Sequence, residues 1–398
     1  TREDINRAIS ENDSTLSTDE VGSGTLLSGI CAGLGVSNSL YEGVAKDSEL
    51  IVIKLGTIDG KYNNAYYYVA RDYARKKARE LERPLIINTS VGTNSDVGFI
   101  NRATQSTIWY QYGECEIAGI GNEGNTQTHA SGKISAEGET QTVEIEIEEE
   151  EEFLKIELWI CRPDRVNIKI ISPTGEESKD VGLGYYKNES GIFNFENTTY
   201  TVFYVFPTSY SGQEFITINL YNASPGIWKI NLTGVYINSG CYNVYLPNRS
   251  LINQNTRFLE PDPFYTVNFP AVDRNIFTVG AYDMINNSMW PPSSRGPNIR
   301  NIQKPNIVAP GVNIISAYPH NRYGNITGTS AAAAVTSGVA ALFLQYVTQN
   351  NQYKRQGFTQ SIYSFFQLGA DREDNIQYPN FIYGYGLLNA RKIFEEFF

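Results

Sequence analysis

A serine at the start of a helix rich in small residues is the first candidate for chemistry. Ser330 follows Gly328 and Thr329, and a run of alanines comes directly after it, so the sequence predicts a helix over Ser330–Val347. The N-terminus of a helix carries a partial positive charge and unpaired N–H groups. Such a place exposes a nucleophilic hydroxyl and supplies one donor to an oxyanion. A serine that only caps a buried helix has the same local sequence, so both interpretations stay open.

An asparagine at a strand-to-loop turn is the second candidate. Asn122 lies between Gly121 and Glu123, directly after the apolar segment Glu116–Ile120. A side-chain amide at such a turn is a natural oxyanion donor. An ordinary Asn-Gly turn has the same signature. Earlier in the chain, Ser90–Gly92 follows another apolar segment and is suited to pairing with an extended peptide.

The elements that must position these residues alternate between strand and helix. Glu49–Leu55 and Leu85–Ile87 are apolar runs typical of strands buried on both faces. Between them, Asn64–Leu81 carries a helical apolar stripe, which ends before Pro84. A further helix is predicted over Asn101–Tyr112. The same alternation returns after residue 258, and this rhythm predicts a parallel sheet with right-handed crossovers.

The middle of the chain has a different pattern. Residues 129–257 contain many short segments of alternating apolar residues, such as Thr142–Glu148, and no helix signal. This predicts an antiparallel β-sandwich or jelly-roll domain, inserted between flanks 1–128 and 258–398 that build one α/β unit. The acidic run Glu148–Glu152 is interpreted as a solvated strand edge and turn rather than as a cation site.

Charge and composition exclude several classes of partner. The chain of 398 residues has a net charge of −11 and a pI of about 4.9, which argues against nucleic acid and anionic lipid. It contains no run of about 18 apolar residues, so no membrane span is predicted. The four cysteines lie far apart without the spacing of metal ligands. This predicts no metal site and favours free buried thiols in a reducing compartment.

In order and spacing, these segments resemble the subtilase family of serine proteases. The segments that carry the resemblance are Gly43–Leu55, Ser90–Gly92, Gly121–Gly124, Lys304–Gly311 and Gly328–Ser330. The resemblance implies a subtilisin-like three-layer fold, with helices on both faces of a parallel sheet, and peptide hydrolysis without cofactor or metal. It also implies that Ser330 is the nucleophile and Asn122 the oxyanion donor. The substrate groove that it implies is lined by Ser90, Val91, Gly92, Gly121, Glu123 and Thr329.

A narrower resemblance is to the Csp-type spore-germination proteases of clostridia, which are similar in carrying a jelly roll just after the segment that matches Gly121–Gly124. The segment Tyr383–Gly386 is similar as well. This resemblance implies a prodomain and an aspartate-bearing strand upstream of Thr1. It implies protein or peptide partners, other germination proteins among them. It also implies synthesis in the bacterial cytoplasm and a location in the spore. No signal peptide is visible in this chain.

The resemblance fails where the catalytic histidine belongs. Ser23, within Gly22–Gly29, takes that position. A serine hydroxyl is too weak a base to accept the proton of Ser330 near neutral pH. His129 and His320 are the two histidines of the chain. Both are expected at the surface rather than beside Ser330.

Three functions therefore stay open from the sequence. The first is a degenerate subtilase, a pseudoprotease that acts by binding in germination signalling. The second is an active serine endopeptidase that cleaves a cortex-hydrolase precursor with a base supplied from elsewhere. The third is a non-catalytic glycan- or protein-binding β-sandwich module. Ser23 discriminates between the first two, because only the second needs a base that this sequence does not display.

Overall fold

The computed structural model describes most of the chain. It covers residues 2–395 apart from 14, 59–60, 63, 96, 98–111, 183–186, 209–211 and 351–353. The helix predicted over Asn101–Tyr112 lies outside the described residues, apart from Tyr112 itself.

Within its described residues, the first flank supplies three helices and two strands of the main sheet. Its elements are α1 Arg2–Glu11, α2 Ser23–Ala32, a 3₁₀ turn Ser39–Tyr41, β1 Thr57–Ile58, β2 Lys61–Tyr62, α3 Asn64–Glu80, β3 Leu85–Thr89 and β4 Glu114–Gly119. Helix α3 confirms the helix predicted over Asn64–Leu81. It buries Tyr67, Ala74 and Ala78 along one stripe, as a 3.6-residue period requires.

The prediction of a buried strand at Glu49–Leu55 is wrong. The segment contains no strand, and Val52 is 70% exposed. A strand forms where a neighbouring strand takes its backbone hydrogen bonds. Within the described residues the main sheet ends at β3 on this side, and no described strand pairs with residues 49–55. The apolar run alone therefore does not determine the conformation of this segment.

The middle of the chain folds into antiparallel strands. They are β5 His129–Lys133, β6 Thr140–Ile147, β7 Glu151–Ile160, β8 Arg165–Ile171, β9 Lys187–Phe193, β10 Thr198–Val205, β11 Glu214–Ala223, β12 Gly226–Tyr236, β13 Cys241–Tyr245 and β14 Arg257–Phe258, with a 3₁₀ turn Arg249–Leu251. A six-stranded sheet has the order β5-β13-β7-β11-β10-β9, and a four-stranded sheet has the order β14-β6-β12-β8. One apolar core contains residues from both sheets, among them Ile145, Leu158 and Trp228. Its assignment as a jelly roll, and the boundary at 129–257, stay predictions.

The prediction that all four cysteines are free is wrong. Cys161 and Cys241 form a disulfide with their Cα atoms 5.4 Å apart. Cys161 follows β7, and Cys241 begins β13, which pairs with β7. Pairing of the strands brings together two cysteines that lie 80 residues apart in sequence. Cys31 and Cys115 are free, as predicted.

The second flank completes the α/β unit. Its elements are β15 Phe277–Asp283, β16 Ser288–Met289, β17 Ile307–Pro310, β18 Ile314–Tyr318, β19 Arg322–Ile326, α4 Thr329–Gln349, a 3₁₀ turn Lys354–Gly357, α5 Thr359–Leu368 and α6 Ala390–Glu395. Strand β15 pairs in parallel with both β4 and β17, and β4 pairs in parallel with β3. The two flanks thus build one parallel sheet, to which β16 adds an antiparallel edge strand. This is the subtilisin-like α/β fold.

Helix α4 is the central helix of this unit. It is long and apolar enough to cross a membrane by length and composition. Its residues Ala332, Ala333 and Phe343 are fully buried and pack in the same core as the strand residues Ile117 and Val279. The apolar character of α4 is therefore accounted for by packing against the sheet.

Candidate active site

The candidate nucleophile lies in the first turn of α4. Gly328 precedes the helix with a φ of 151°, and Thr329 and Ser330 are the first two helical residues. The N–H of Gly328 donates to Gly311 O at 2.8 Å, which fixes the turn that enters the helix. Ser330 is half-buried. Its N–H belongs to the first helical turn, where no backbone carbonyl is available four residues earlier, and it is therefore free to serve an incoming anion.

Asn122 is fixed to the residue beside Ser330. Its Oδ1 accepts hydrogen bonds from the N–H of Thr329 at 3.1 Å and from the Thr329 hydroxyl at 2.9 Å. The Thr329 hydroxyl oxygen in turn accepts from the N–H of Gly121 at 3.2 Å. Because both bonds use the carbonyl oxygen of the amide, the Nδ2 group remains as a donor on the exposed side. Nδ2 faces Gly328, at 3.3 Å from where a Cβ would stand on that glycine.

The end of β4 brings this asparagine to the helix. Thr278 and Val279 of β15 pair in parallel with Ala118 and Gly119, so the carboxyl end of β4 lies beside the middle of β15. A Cβ at Gly119 would stand 2.7 Å from backbone and side-chain atoms of Thr329. Glycine at this position is what permits the close approach of β4 to α4. Carboxyl ends of parallel strands are where α/β folds place ligands.

The candidate groove segment follows β3. Ser90 and Gly92 are exposed and Val91 is half-buried. The next residue, Thr93, exchanges backbone hydrogen bonds with Phe269, at 3.1 Å and 2.9 Å. This bridge anchors the segment on one side, while Ser90–Gly92 itself keeps an open face. An extended peptide can pair with the backbone of such an open segment.

Glu123, predicted to line the groove, points elsewhere. It is 7% exposed, and its carboxylate accepts hydrogen bonds from the hydroxyls of Thr126 and Thr128 at 2.7 Å and 3.0 Å. It also accepts from Asn248 Nδ2 at 3.1 Å. Thr126 and Thr128 precede β5, and Asn248 follows β13. Glu123 therefore ties together the two ends of the middle strands, with its carboxylate turned inward.

Ser23 begins α2, the helix that packs against the start of α4. Leu27 and Ile30 of α2 pack against Ala331 and Ala334 of α4. Ser23 is exposed and lies one turn before Leu27 on the same face of α2. Asp19 caps the helix: its carboxylate accepts hydrogen bonds from the N–H of Gly22 at 2.8 Å and of Thr25 at 2.7 Å. Direct approach of Ser23 to Ser330 stays a prediction.

Neither histidine lies at the start of α4. His129 is the first residue of β5 and is only 2% exposed. The prediction that it lies at the surface is therefore wrong. Its ring nitrogens contact Asp262 O at 2.9 Å and Asn243 Oδ1 at 3.0 Å. Burial lowers the pKa of His129. His320 is exposed at the tip of the β18–β19 hairpin, as predicted.

A buried ionic cluster beneath the groove segment escaped the sequence interpretation. Glu116 on β4 lies 3.0 Å from Arg71 Nε on α3 and accepts from the hydroxyls of Tyr67 and Thr89, the latter at 3.0 Å. Burial raises the pKa of Glu116, and the charge of Arg71 opposes that shift. Thr89 is the residue before Ser90, so the cluster holds the base of the groove segment. The two glutamates of β4, Glu114 and Glu116, in a strand whose other residues are small or apolar were the available signal.

Lys304, in a segment singled out by the sequence, is a buried structural residue. Its Nζ donates to Asp273 O at 2.9 Å, to Ile276 O at 2.7 Å and to the Thr278 hydroxyl at 2.7 Å. Burial lowers its pKa to about 7. Lys304 therefore joins the turn before β15 to the segment that leads into β17.

Comparisons with known proteins agree with this arrangement. The sequence profile described as the subtilase family matches residues 248–386, which include Ser330. Serine protease AprX of Bacillus subtilis is 34% identical over 145 residues, which is 31% of this chain and 31% of that protein. Subtilisin DY of Bacillus licheniformis is 32% identical over 126 residues, 31% of this chain and 39% of that protein. These matches span well under half the length of the curated relatives.

A solved structure covers nearly the whole chain. The CspB protease of Clostridium perfringens superposes with a TM-score of 0.85 and 24% identity, over 96% of this chain and 82% of that one. The superposition shows that the two chains share a fold.

Proposed function

The chain belongs to the subtilase family, and from that premise we propose that it is a pseudoprotease that holds an extended peptide without cleaving it. The observation that carries the proposal is that Ser330 begins α4 beside the Asn122–Thr329 hydrogen bonds, while the residue matched to the catalytic histidine is Ser23. Ser330 in the first turn of α4, and Asn122 bound to the neighbouring Thr329, support this assignment of nucleophile and oxyanion donor. Ser23, at the start of the helix that packs beside Ser330, offers no group that accepts a proton near pH 7.

The loss of rate expected without a catalytic base supports a binding role. A serine hydroxyl is almost wholly protonated at pH 7, so its attack on a peptide requires a neighbouring base. Loss of the base histidine in subtilisin lowers kcat by about 10⁶, or about 8 kcal/mol of barrier. The oxyanion donors leave a residual of roughly 10³ to 10⁴ over water. Such a rate is negligible for a signalling protease, whereas a peptide groove needs no base.

The setting of this binding is proposed from the likeness to Csp-type proteases. We propose a role in spore-germination signalling, with other germination proteins as partners, a spore location, and the jelly-roll strands as part of the partner surface. The Cys161–Cys241 disulfide supports a location outside the reducing cytoplasm in the mature protein. A glycan ligand for the strands of residues 129–257 is a separate proposal, which a glycan-binding screen of the whole chain tests.

The second candidate is an active endopeptidase. It is favoured by one observation, the Asn122–Thr329 arrangement, which leaves Asn122 Nδ2 as a donor that faces Gly328, two residues before Ser330. It requires a base from another source, acting on a substrate such as a cortex-hydrolase precursor.

Cleavage of a mixed peptide library, followed by mass spectrometry, separates the two candidates. The pseudoprotease leaves the library intact while Ser330→Ala and the unaltered chain bind its members equally well. Cleavage that Ser330→Ala abolishes would establish the endopeptidase.

A further inference from the structure

A cavity of about 410 Å³ opens among the middle strands. Its lining comes from both sheets: from β5 and β13 of the six-stranded sheet, and from β6, β8, β12 and β14 of the four-stranded sheet. Within the described residues, β14 pairs only with Ile145 and Glu146, so the earlier part of β6 has an open edge on that side. The cavity has the size of a small-ligand site and shares no lining residue with the candidate active site.

Part of the cavity wall is apolar. Ala130, Val143 and Phe258 line it, and all three are buried in the core of the middle strands. Such a surface accepts the C–H groups of a ligand, whereas an unpaired charge placed against it would lose its hydration without compensation.

A buried tyrosine adds a hydroxyl without a partner. Tyr242 on β13 lines the cavity and is 5% exposed. Its hydroxyl forms no hydrogen bond with any residue that the structure describes. A Cβ at Gly132 of β5 would collide with this hydroxyl, so the glycine makes room for it. Burial raises the pKa of Tyr242, and the charge of Glu260 adds to that shift. The protonated hydroxyl therefore offers a ligand both a donor and an acceptor.

Polar side chains of the cavity supply the remaining donors and acceptors. The Thr142 hydroxyl donates to Asn231 Oδ1 at 2.9 Å, which leaves Asn231 Nδ2 as a donor. Lys229 lies 2.8 Å from Glu144, so its charge is compensated. Glu260 is exposed and adds a carboxylate, which only accepts. These charged residues comprise two carboxylates and one ammonium, so they favour no anionic ligand.

We infer that this cavity binds a neutral sugar residue of a glycan. Each hydroxyl of a sugar ring both donates and accepts, so neighbouring hydroxyls can satisfy Glu260, Asn231 and Tyr242 together. The C–H groups of the ring suit the apolar wall. The inference rests on the glycan proposal made above, whose site and sugar class it names, and it does not depend on the groove beside Ser330.

An extended peptide is the competing occupant, because the open edge of β6 could pair with a strand. Pairing of that kind uses backbone groups and leaves the Tyr242 hydroxyl without a partner. Buried polar groups are almost always paired in a complete complex, so the free hydroxyl favours a ligand rich in hydroxyls.

The test presents the whole chain to immobilised oligosaccharides. The neutral probes are oligomers of glucose, mannose, galactose and N-acetylglucosamine, and oligogalacturonate is the acidic one. We expect a neutral oligomer to bind with a Kd of about 1 mM or lower in calorimetry, and oligogalacturonate to bind at least tenfold more weakly. Preference for the acidic probe would overturn the sugar class. No binding of any neutral probe would overturn this inference and the glycan proposal, without touching the proposals on the Ser330 groove.

Two variants place the site. Tyr242→Phe removes only the hydroxyl, so we expect the Kd of the best neutral probe to rise about tenfold, with no loss of stability in urea. Tyr200→Phe, the same change at a buried tyrosine of β10 outside the cavity, is the matched control and should keep that Kd. Asn231→Asp replaces the amide donor by a carboxylate and should weaken binding by a similar factor.

Unchanged sugar affinity in both variants would overturn the site while leaving the glycan proposal in place. Tighter binding of the peptide acetyl-(Thr-Val)₃-amide than of any sugar, unaffected by Tyr242→Phe, would assign the cavity to strand addition and contradict the inference.

Discussion

Oδ1 of Asn122 accepts hydrogen bonds from both the backbone N–H and the hydroxyl of Thr329. The end of a sheet strand is thereby joined to the first turn of α4, and the donor end of the amide faces Gly328. Under the proposed function Asn122 is the oxyanion donor and Ser23 stands at the base position, and the predictions below test this account and the contacts that support it.

The Thr329 hydroxyl hydrogen-bonds to two groups, Asn122 Oδ1 and the N–H of Gly121, so its removal should lower the stability of the fold. Thr329→Val leaves the N–H of Gly121 without its acceptor and frees Asn122 to rotate. We expect the free energy of unfolding to fall by about 1–3 kcal/mol, the cost of leaving a buried group unpaired. Urea denaturation measures it. Thr199→Val, at an exposed residue of β10, is the matched control and should change stability by less than about 0.5 kcal/mol.

The buried lysine predicts a dependence of stability on pH. The pKa of Lys304 is lowered by burial from 10.5 to about 7. Between these values the unfolded chain binds a proton that the folded chain does not, so this residue's contribution to stability rises with pH. Below pH 7 its cost is complete, and above pH 10.5 the cost is absent.

Comparison with Lys304→Met isolates this effect. The stability of the unaltered chain relative to the variant should increase from pH 7 to pH 10, by up to about 1.4 kcal/mol per unit. A difference between the two proteins that stays constant over this range would show that Lys304 keeps its ordinary pKa.

The disulfide should stabilise the middle strands. Cys161→Ser combined with Cys241→Ser releases a loop of 80 residues, for which loop entropy predicts a loss of about 4 kcal/mol. Thermal unfolding of the double variant should therefore begin at lower temperature. Cys31→Ser, at a free thiol, serves as the control. Alkylation of the unreduced, denatured chain should label two cysteines, and labelling of all four would refute the pairing.

The ionic cluster under the groove should be sensitive to loss of one partner. Glu116→Gln leaves the Arg71 charge buried without compensation, which typically costs about 3–5 kcal/mol. Arg71→Met combined with Glu116→Gln should recover much of that loss. If Glu116→Gln is as stable as the unaltered chain in urea, the ion pair between Arg71 and Glu116 does not stabilise the fold.

Local patterns predicted the parts of the fold that local physics determines. Short segments of sequence were enough to predict three features: the apolar stripe of α3, the small residues at the start of α4 and the alternating strands of residues 129–258. The ordered motifs brought Asn122 and Thr329 to one place because strand ends converge in a parallel sheet.

Features that depend on distant partners were missed. The conformation of Glu49–Leu55 depends on a neighbouring strand, and the Cys161–Cys241 bond on the pairing of β7 with β13. Glu123 has the sequence of a groove residue, but Asn248, which lies 125 residues away in sequence, joins Thr126 and Thr128 in holding its carboxylate inward.

Labelling by a fluorophosphonate probe tests the central claim most directly, because the probe reacts with a serine that a base has activated. The unaltered chain, Ser23→His and Ser330→Ala are treated in parallel, with an active subtilisin as the positive control, and the labelled residue is identified by mass spectrometry. We predict no labelling of Ser330 in the unaltered chain or in Ser330→Ala, and faster labelling in Ser23→His. Labelling of Ser330 in the unaltered chain at the rate of the active protease would contradict the pseudoprotease account.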